Sequence, residues 1–338
     1  MKSTFIGSCF KFQPNSDFSS CAYYDPSDNS KVNGFCTRPD MYRCVSTLGK
    51  IIPLSYSSVS NFLTCRHLYY LKAIRGIRMK DAAVSSPLKM GTLWDKVLQK
   101  YLGNKSIDIP AIINQYEIDD KDTAKVQGLY RAYKALDIQV EPGYDLQAKI
   151  DLTIPFDQTW PDGSPVEMMM TGFYDRKYAD HFVENKLSGR PEFYQDPFFI
   201  QSQIGTYFLA DPNLKHVTME IIRTPALKST GKNKEESAGD YGERVYQDAI
   251  SRPSHYFIGW NSETKTYGRR FYRKEFDLEE IKSRYLHVFK EIYNARFTDG
   301  FYKNDRVCNN VLPGIACDML SVCRYNNMSE SIYEIRNV

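Results

Sequence analysis

Long apolar runs are missing from this chain. No stretch approaches the roughly 20 residues that a membrane-spanning helix needs, and the N-terminal MKSTFIGSCFKFQPNSD lacks the extended apolar centre of a secretion signal. The expected location is therefore cytoplasmic, with no membrane partner and with thiols kept reduced. A strong charge of either sign is missing too: 44 Lys and Arg against 41 Asp and Glu leave only +3 at pH 7. Such a balance permits a nucleic-acid partner without demanding one. There is no internal repeat, no low-complexity tract and no close Cys-x-x-Cys pair, which removes solenoids and the commonest zinc fingers.

What is present is an ordinary globular balance of 42% hydrophobic and 25% charged residues over 338 positions, enough for one large domain or two small ones. Tyr (25) and Phe (19) are abundant, and such rings serve both cores and base stacking. The eight cysteines are expected to be metal ligands or buried thiols rather than disulfides. Four of them, Cys9, Cys21, Cys36 and Cys44, fall in a polar stretch, residues 1–50, that has too few apolar residues for a core. This stretch reads as a small Cys-rich module, folded around zinc or left as an arm with free thiols. Residues 51–338 form the main domain.

Within it, LSYSSVSNFLTCRHLYYLKAIRG reads as one helix capped by Ser55, Ser57 or Ser58. SSPLKMGTLWDKVLQKYLG and DKDTAKVQGLYRAYKALDI supply two more, making a helical segment over about 92–140. After Gly143 the texture changes. YDLQAKIDLTIPF and VEMMMTGFYDRKYA read as strands about a PDGS turn, and HFVENKL as a third. DPFFIQSQIGTYFLA is helical, HVTMEIIRTP a strand, GERVYQDAISRP a helix and YGRRFYRKEFDL strand-like. A long amphipathic helix, LEEIKSRYLHVFKEIYNARF, precedes the C-terminal cysteines. The pattern is a mixed α/β core with helices before and after the sheet.

The chemistry concentrates in GFYDRKYADHFVENKLSG, residues 172–189. On a strand Phe182, Glu184 and Lys186 share one face, while Val183, Asn185 and Leu187 take the other. A hairpin-like return can bring Asp175 beside Glu184. Two carboxylates so placed repel, and a divalent cation offsets the repulsion. Lys186 beside that cation could orient a water or stabilise a pentacovalent phosphate, which is the equipment of phosphodiester hydrolysis. Alone, the motif fits a solvated salt bridge on a sheet edge equally well.

The order of motifs, however, resembles the PD-(D/E)XK nuclease superfamily, in its RecB-like and phage-type exonuclease branch. SYSSVSNFLTCRHLYYL is similar to that branch's Ser-x-Ser-x-x-x-x-Phe-x-x-Cys helix. Gly91 to position 95, Gly172 to Asp175, Glu184 to Lys186 and Gln203 to Tyr207 then follow in the branch's order, and the likeness extends over about residues 54–325. It implies a restriction-endonuclease-like core, a mixed β-sheet flanked by helices, with a helical N-terminal part. It also implies Mg²⁺ or Mn²⁺ held by Asp175, Glu184 and Asp95, with Lys186 catalytic and with Gln203 and Tyr207 lining the site. One departure stands out: Asp95 replaces the branch's histidine, an exchange that an oxygen-preferring cation tolerates.

The same resemblance covers the C-terminal cysteines. NDRVCNNVLPGIACDMLSVC is similar to the cluster-binding end of AddB-like and CRISPR-adaptation exonucleases. It implies a structural [4Fe–4S] cluster on Cys65, Cys308, Cys317 and Cys323; zinc on the same thiolates, or four unrelated buried thiols, are the other readings. Basic residues Lys72, Arg75, Arg78 and Lys80, then Lys228, Lys232 and Lys234, then Arg269, Arg270, Arg273 and Lys274, could track phosphates or be solvated faces. The function implied is metal-dependent exonucleolytic processing of single-stranded DNA or duplex ends, in a bacterium or phage-infected host and alongside a recombinase or single-strand-binding protein. A non-catalytic module gripping DNA ends or a recombinase, and a redox-responsive regulator, are the alternatives.

Overall fold

The computed structural model describes residues 51–80, 86–103, 112, 119–160, 163–228, 236–296, 298, 300–308, 316–325 and 328–335. The 1–50 module with Cys9, Cys21, Cys36 and Cys44, and the loop lysines Lys232 and Lys234, lie outside the described residues. Among the described residues no helix is long and apolar enough to cross a membrane. The chain forms two compact units interleaved in sequence. One holds the described residues up to Arg78, Asp151–Gly172 and those from Lys282 onward; the other holds Met79–Ile150 and Phe173–Ile281.

In the first unit, strand β1 (Ile51–Leu54) pairs in parallel with the early part of strand β4 (Pro165–Lys177), aligning Ile52 with Met168 and Leu54 with Met170. All four are fully buried, as alternation predicts for one face of paired strands. Helix α1 (Tyr56–Thr64) begins with a capping box: Ser55 Oγ accepts from the Ser58 amide at 3.1 Å, and Ser58 Oγ accepts from the Ser55 amide at 2.7 Å. The single helix expected from the sequence does not continue. Cys65 is extended, at φ −159° and ψ 119°, and the chain restarts as α2 (Arg66–Tyr69) followed by a π-helical turn over Tyr70–Ile74. Apolar periodicity runs through such a break unchanged, because side-chain spacing does not report one residue's backbone switch.

A short strand, β2 (Ile77–Met79), pairs with β8 (Tyr333–Ile335), and neither strand nor β1 was expected. Helix α3 (Ser86–Leu102) and helix α4 (Asp120–Ala135) match the two expected helices. Strand β3 (Asp145–Thr159) pairs with β4. Strand β5 (His181–Ser188), helix α5 (Pro197–Ala210), strand β6 (His216–Arg223), helices α6 (Ala238–Ser251) and α7 (Pro253–Tyr256) and strand β7 (Arg269–Tyr272) follow. Helix α8 (Leu278–Ala295) and helix α9 (Leu320–Tyr325) complete the order. The strand order is β1-β4-β5-β6-β7, with β5 antiparallel to β4 and parallel to β6. This is the expected mixed sheet with helices around it.

Two apolar cores hold the second unit. Phe182, Val217, Met219, Ile221 and Phe271 from the sheet pack with Ile200, Ile204 and Phe208 of α5. Leu187 instead belongs with Leu93, Val97, Leu129 and Val245 of α3, α4 and α6. The two faces of β5 are thus divided as alternation predicts. Helices α4 and α6 touch at Gly128, where an added Cβ would lie 2.7 Å from the Gly242 carbonyl oxygen and 2.8 Å from Val245 Cβ. The basic residues expected to track phosphate are partly committed elsewhere. Arg273 donates to the carbonyls of Phe208 (2.7 Å) and Asp211 (3.1 Å) at the end of α5, and Lys72 pairs with Asp318 at 2.5 Å.

Candidate active site

Strand β5 carries Glu184 and Lys186 on the face toward α5, where Glu184 is buried and Lys186 is partly exposed. Their side chains form an ion pair through Glu184 Oε1. The same oxygen accepts from Gln203 Nε2 at 2.7 Å, and that amide also lies 3.1 Å from Tyr207 Oη. Gln203 and Tyr207 stand one turn apart on α5, so both reach the strand from one helix face. Tyr207 is itself packed into the α5 core with Tyr174 and Phe182, at ring separations of 5.3 and 5.5 Å.

The antiparallel ladder pairs Arg176 with Val183, which brings the preceding Asp175 alongside Glu184. Asp175 is held at both oxygens: the Asn185 amide donates to Oδ2 at 2.8 Å, and Gln147 Nε2 donates to Oδ1 at 3.2 Å. Among the described residues, Gln147 is one of three non-glycine residues with positive φ, at 52°. Asp95, on α3, accepts from Gln99 Nε2 at 2.7 Å one turn along. Burial and then the charge of Asp175 raise the Asp95 carboxyl to about 6, against the opposing pull of Gln99, Lys96 and Lys186. Burial and Asp175 likewise raise Glu184 to about 7, opposed by Lys186. Burial pulls Lys186 down, but Glu184 and Asp175 outweigh it and hold its amine protonated.

Of the residues singled out in the sequence, Asp95, Asp175, Glu184 and Lys186 act electrostatically on one another, and Gln203 and Tyr207 join them by hydrogen bonds through Glu184. The sequence reading missed the residues that orient them. Gln99 was legible as the i+4 neighbour of Asp95 on a helix. Gln147 was not, because its left-handed backbone has no sequence signal outside glycine, asparagine and aspartate. Also missed was the buried ion pair of Arg176 with Glu220, from the strands that flank β5.

Could this group hold a divalent cation? The donors are all carboxylate oxygens, the set that Mg²⁺ and Mn²⁺ prefer. Glu184 Oε2 is buried with no hydrogen-bond partner, a costly state for a carboxylate oxygen that a cation would relieve. The residues fit the ion in chemistry, although among the described residues no three His, Cys, Asp or Glu side chains are already drawn into a metal-holding group.

Four other predicted residues fall in the first unit. Cys65, at the break after α1, is buried and its Sγ accepts from the Asn304 amide at 3.4 Å. Cys308 Sγ donates to the Asn304 carbonyl at 3.5 Å, and the Cys317 amide donates to the Cys308 carbonyl at 2.8 Å. Burial raises the Cys323 thiol, opposed by Lys303 and reinforced by Cys308 and Cys65. Burial also raises Cys317, with Cys308 among the lesser contributors. These pairwise influences stop short of a metal-holding group of three thiols among the described residues.

With this geometry in place, comparison with known families is informative. Residues 53–176 match the family model of the PD-(D/E)XK nuclease superfamily, whose members are generally metal-dependent nucleases. That match takes in Asp95 and Asp175 and ends before Glu184. No curated protein matches the chain.

Proposed function

We propose that the chain is a Mg²⁺- or Mn²⁺-dependent DNA exonuclease that hydrolyses phosphodiester bonds at DNA ends. The observation that carries this reading is Glu184, buried on β5 with Lys186 on one oxygen and the other oxygen unpartnered, beside a doubly anchored Asp175. Asp175 and Glu184, with Asp95 from α3, would hold the cation. A bound cation there offsets charge on the scissile phosphate and makes water a stronger nucleophile. The residues of the chain do the rest. The protonated Lys186 amine orients the attacking water and faces the negative charge that builds on phosphorus. Gln203 fixes the Glu184 carboxylate, and Tyr207 anchors Gln203 against the helix, so that the strand of DNA meets a preset carboxylate pair.

In the same reading Cys65, Cys308, Cys317 and Cys323 hold a [4Fe–4S] cluster of structural role, and the protein belongs to the RecB-like, phage-type branch. Its setting is cytoplasmic DNA end processing for recombination, in the company of a recombinase or single-strand-binding protein. The motif order supports this. A 1–50 zinc module on Cys9, Cys21, Cys36 and Cys44 completes the proposal.

The test is cleavage of end-labelled single- and double-stranded DNA with Mg²⁺, Mn²⁺ or EDTA, beside Lys186→Ala. Metal-dependent shortening that falls by about 10²- to 10³-fold in the variant is the expected result. DNA that stays intact under every metal while still bound would overturn the enzyme reading in favour of a binding module.

A further inference from the structure

Six large apolar side chains of the second unit are exposed among the described residues: Leu88, Phe173, Phe193, Phe198, Phe199 and Tyr272. Five of them sit on the elements that carry the carboxylate site or on the turn that joins two of those elements. Phe173 lies two residues before Asp175 on β4, and so on the same strand face. The densest group is Phe193, Phe198 and Phe199, at 45%, 76% and 55% exposure. Phe199 meets both others edge to face, at 5.2 Å from Phe193 and 5.5 Å from Phe198. Three water-facing phenylalanines held as one cluster are costly to keep unless something covers them.

Position says where the cluster leads. Phe199, Gln203 and Tyr207 follow at one-turn intervals along α5, so the cluster begins the row that ends on Glu184. Phe193 belongs to the short 3₁₀ turn Pro191–Tyr194, which lies between β5, the strand of Glu184 and Lys186, and α5. Charge says what kind of chain fits. Arg190, just before the turn, is exposed, and the one acidic side chain in the turn, Glu192, is paired with Arg223 at 2.9 Å. Asp196, the exposed N-cap of α5 between Phe193 and Phe198, is engaged at one oxygen, its Oδ1 accepting from the Phe198 amide at 2.9 Å, so the only carboxylate an anionic backbone meets among these residues is a partly satisfied one.

We propose that Phe193, Phe198 and Phe199 form a stacking platform for unpaired bases, and that the ligand entering the site is a single strand of DNA. This rests on the nuclease reading above for the identity of the polymer. Aromatic faces take up any base by stacking, and only an unpaired strand offers base faces along its length; a duplex buries them in its own stack.

The test uses the full chain in EDTA, so that nothing is cut. Binding of a fluorescein-labelled single-stranded oligodeoxynucleotide and of a blunt hairpin duplex is followed by anisotropy for the wild type, Phe199→Ala, Phe193→Ala/Phe198→Ala, Phe199→Leu and Phe199→Trp. Single-strand binding is expected to weaken by about tenfold for each stacked base lost. Leu should be nearly as poor as Ala, Trp should restore binding, and duplex binding should change little. Equal losses on both substrates, no loss at all, or full rescue by Leu would overturn the platform. So would self-association in sedimentation that the Ala variants abolish, since that would assign the surface to a second copy of the chain. Adding Mg²⁺ or Mn²⁺ to the same variants separates the two proposals. Cleavage with unaltered strand preference refutes the platform alone; Phe-dependent strand binding without cleavage refutes the nuclease alone.

Discussion

Gln203 donates to Glu184 Oε1 at 2.7 Å, on the oxygen that Lys186 also contacts, and leaves Oε2 buried without a partner. This one-sided satisfaction has a consequence for pH. Burial and Asp175 raise Glu184 from the ordinary value of 4.5 to about 7, so the folded state holds its proton more tightly than the unfolded chain does. A carboxyl raised in this way contributes stability that is complete below pH 4.5 and is lost as pH rises toward about 7. Metal-free protein should therefore melt at progressively lower temperature over that interval, and added Mg²⁺ should reverse the trend at the upper end. In Glu184→Gln the slope should flatten. Identical pH profiles for wild type and variant would refute the assignment.

Gln147 presents a second, independent lever, because it reaches Asp175 from a strained backbone at φ 52°. Replacing it with Ala removes the donor and keeps the strain, whereas Gly removes the donor and relieves the strain. Both variants should bind Mn²⁺ about tenfold more weakly, as read by electron paramagnetic resonance titration. Only Ala should also lower the melting temperature. Unchanged Mn²⁺ affinity in both variants would reduce Gln147 to a structural role.

Cys65 sits at the helix break after α1, and its Sγ accepts from the backbone amide of Asn304, four residues before Cys308. Protein purified without oxygen should contain iron and acid-labile sulfide and absorb broadly in the visible range, and Cys65→Ser should lose both and melt earlier. Zinc in place of iron, in stoichiometric amount and lost in the same variant, would replace the cluster with a tetrathiolate zinc site.

The crossing of α4 and α6 is close enough to forbid a methyl group. Gly128→Ala would place Cβ 2.7 Å from the Gly242 carbonyl oxygen, backbone that cannot swing aside. A loss of about 1–3 kcal/mol in urea unfolding is expected. Gly242→Ala meets its nearest neighbours at 3.3 and 3.4 Å and should cost less. Equal stability in both variants would mean that the helices slide apart freely.

Several features needed no coordinates. The carboxylates, Lys186, Gln203 and Tyr207 stood out because strand alternation and helical repeat decide which side chains share a face, and those rules depend only on spacing. The Ser55 cap, the two helices α3 and α4, and the return from β4 to β5 were legible for the same reason. Tertiary structure alone decided which backbone groups would complete them. The extended Cys65 interrupts an unbroken apolar pattern; Gln147 reaches Asp175 from a conformation that glutamine seldom takes; the Asn185 amide anchors Asp175 through an atom every residue has. The buried Arg176–Glu220 pair was equally hidden, since nothing in either residue announces that it will face its opposite charge away from water. Local periodicity is written in the order of residues. Burial, and the shifted protonation of Asp95 and Glu184 that follows from it, arises only when segments far apart in the chain exclude water together.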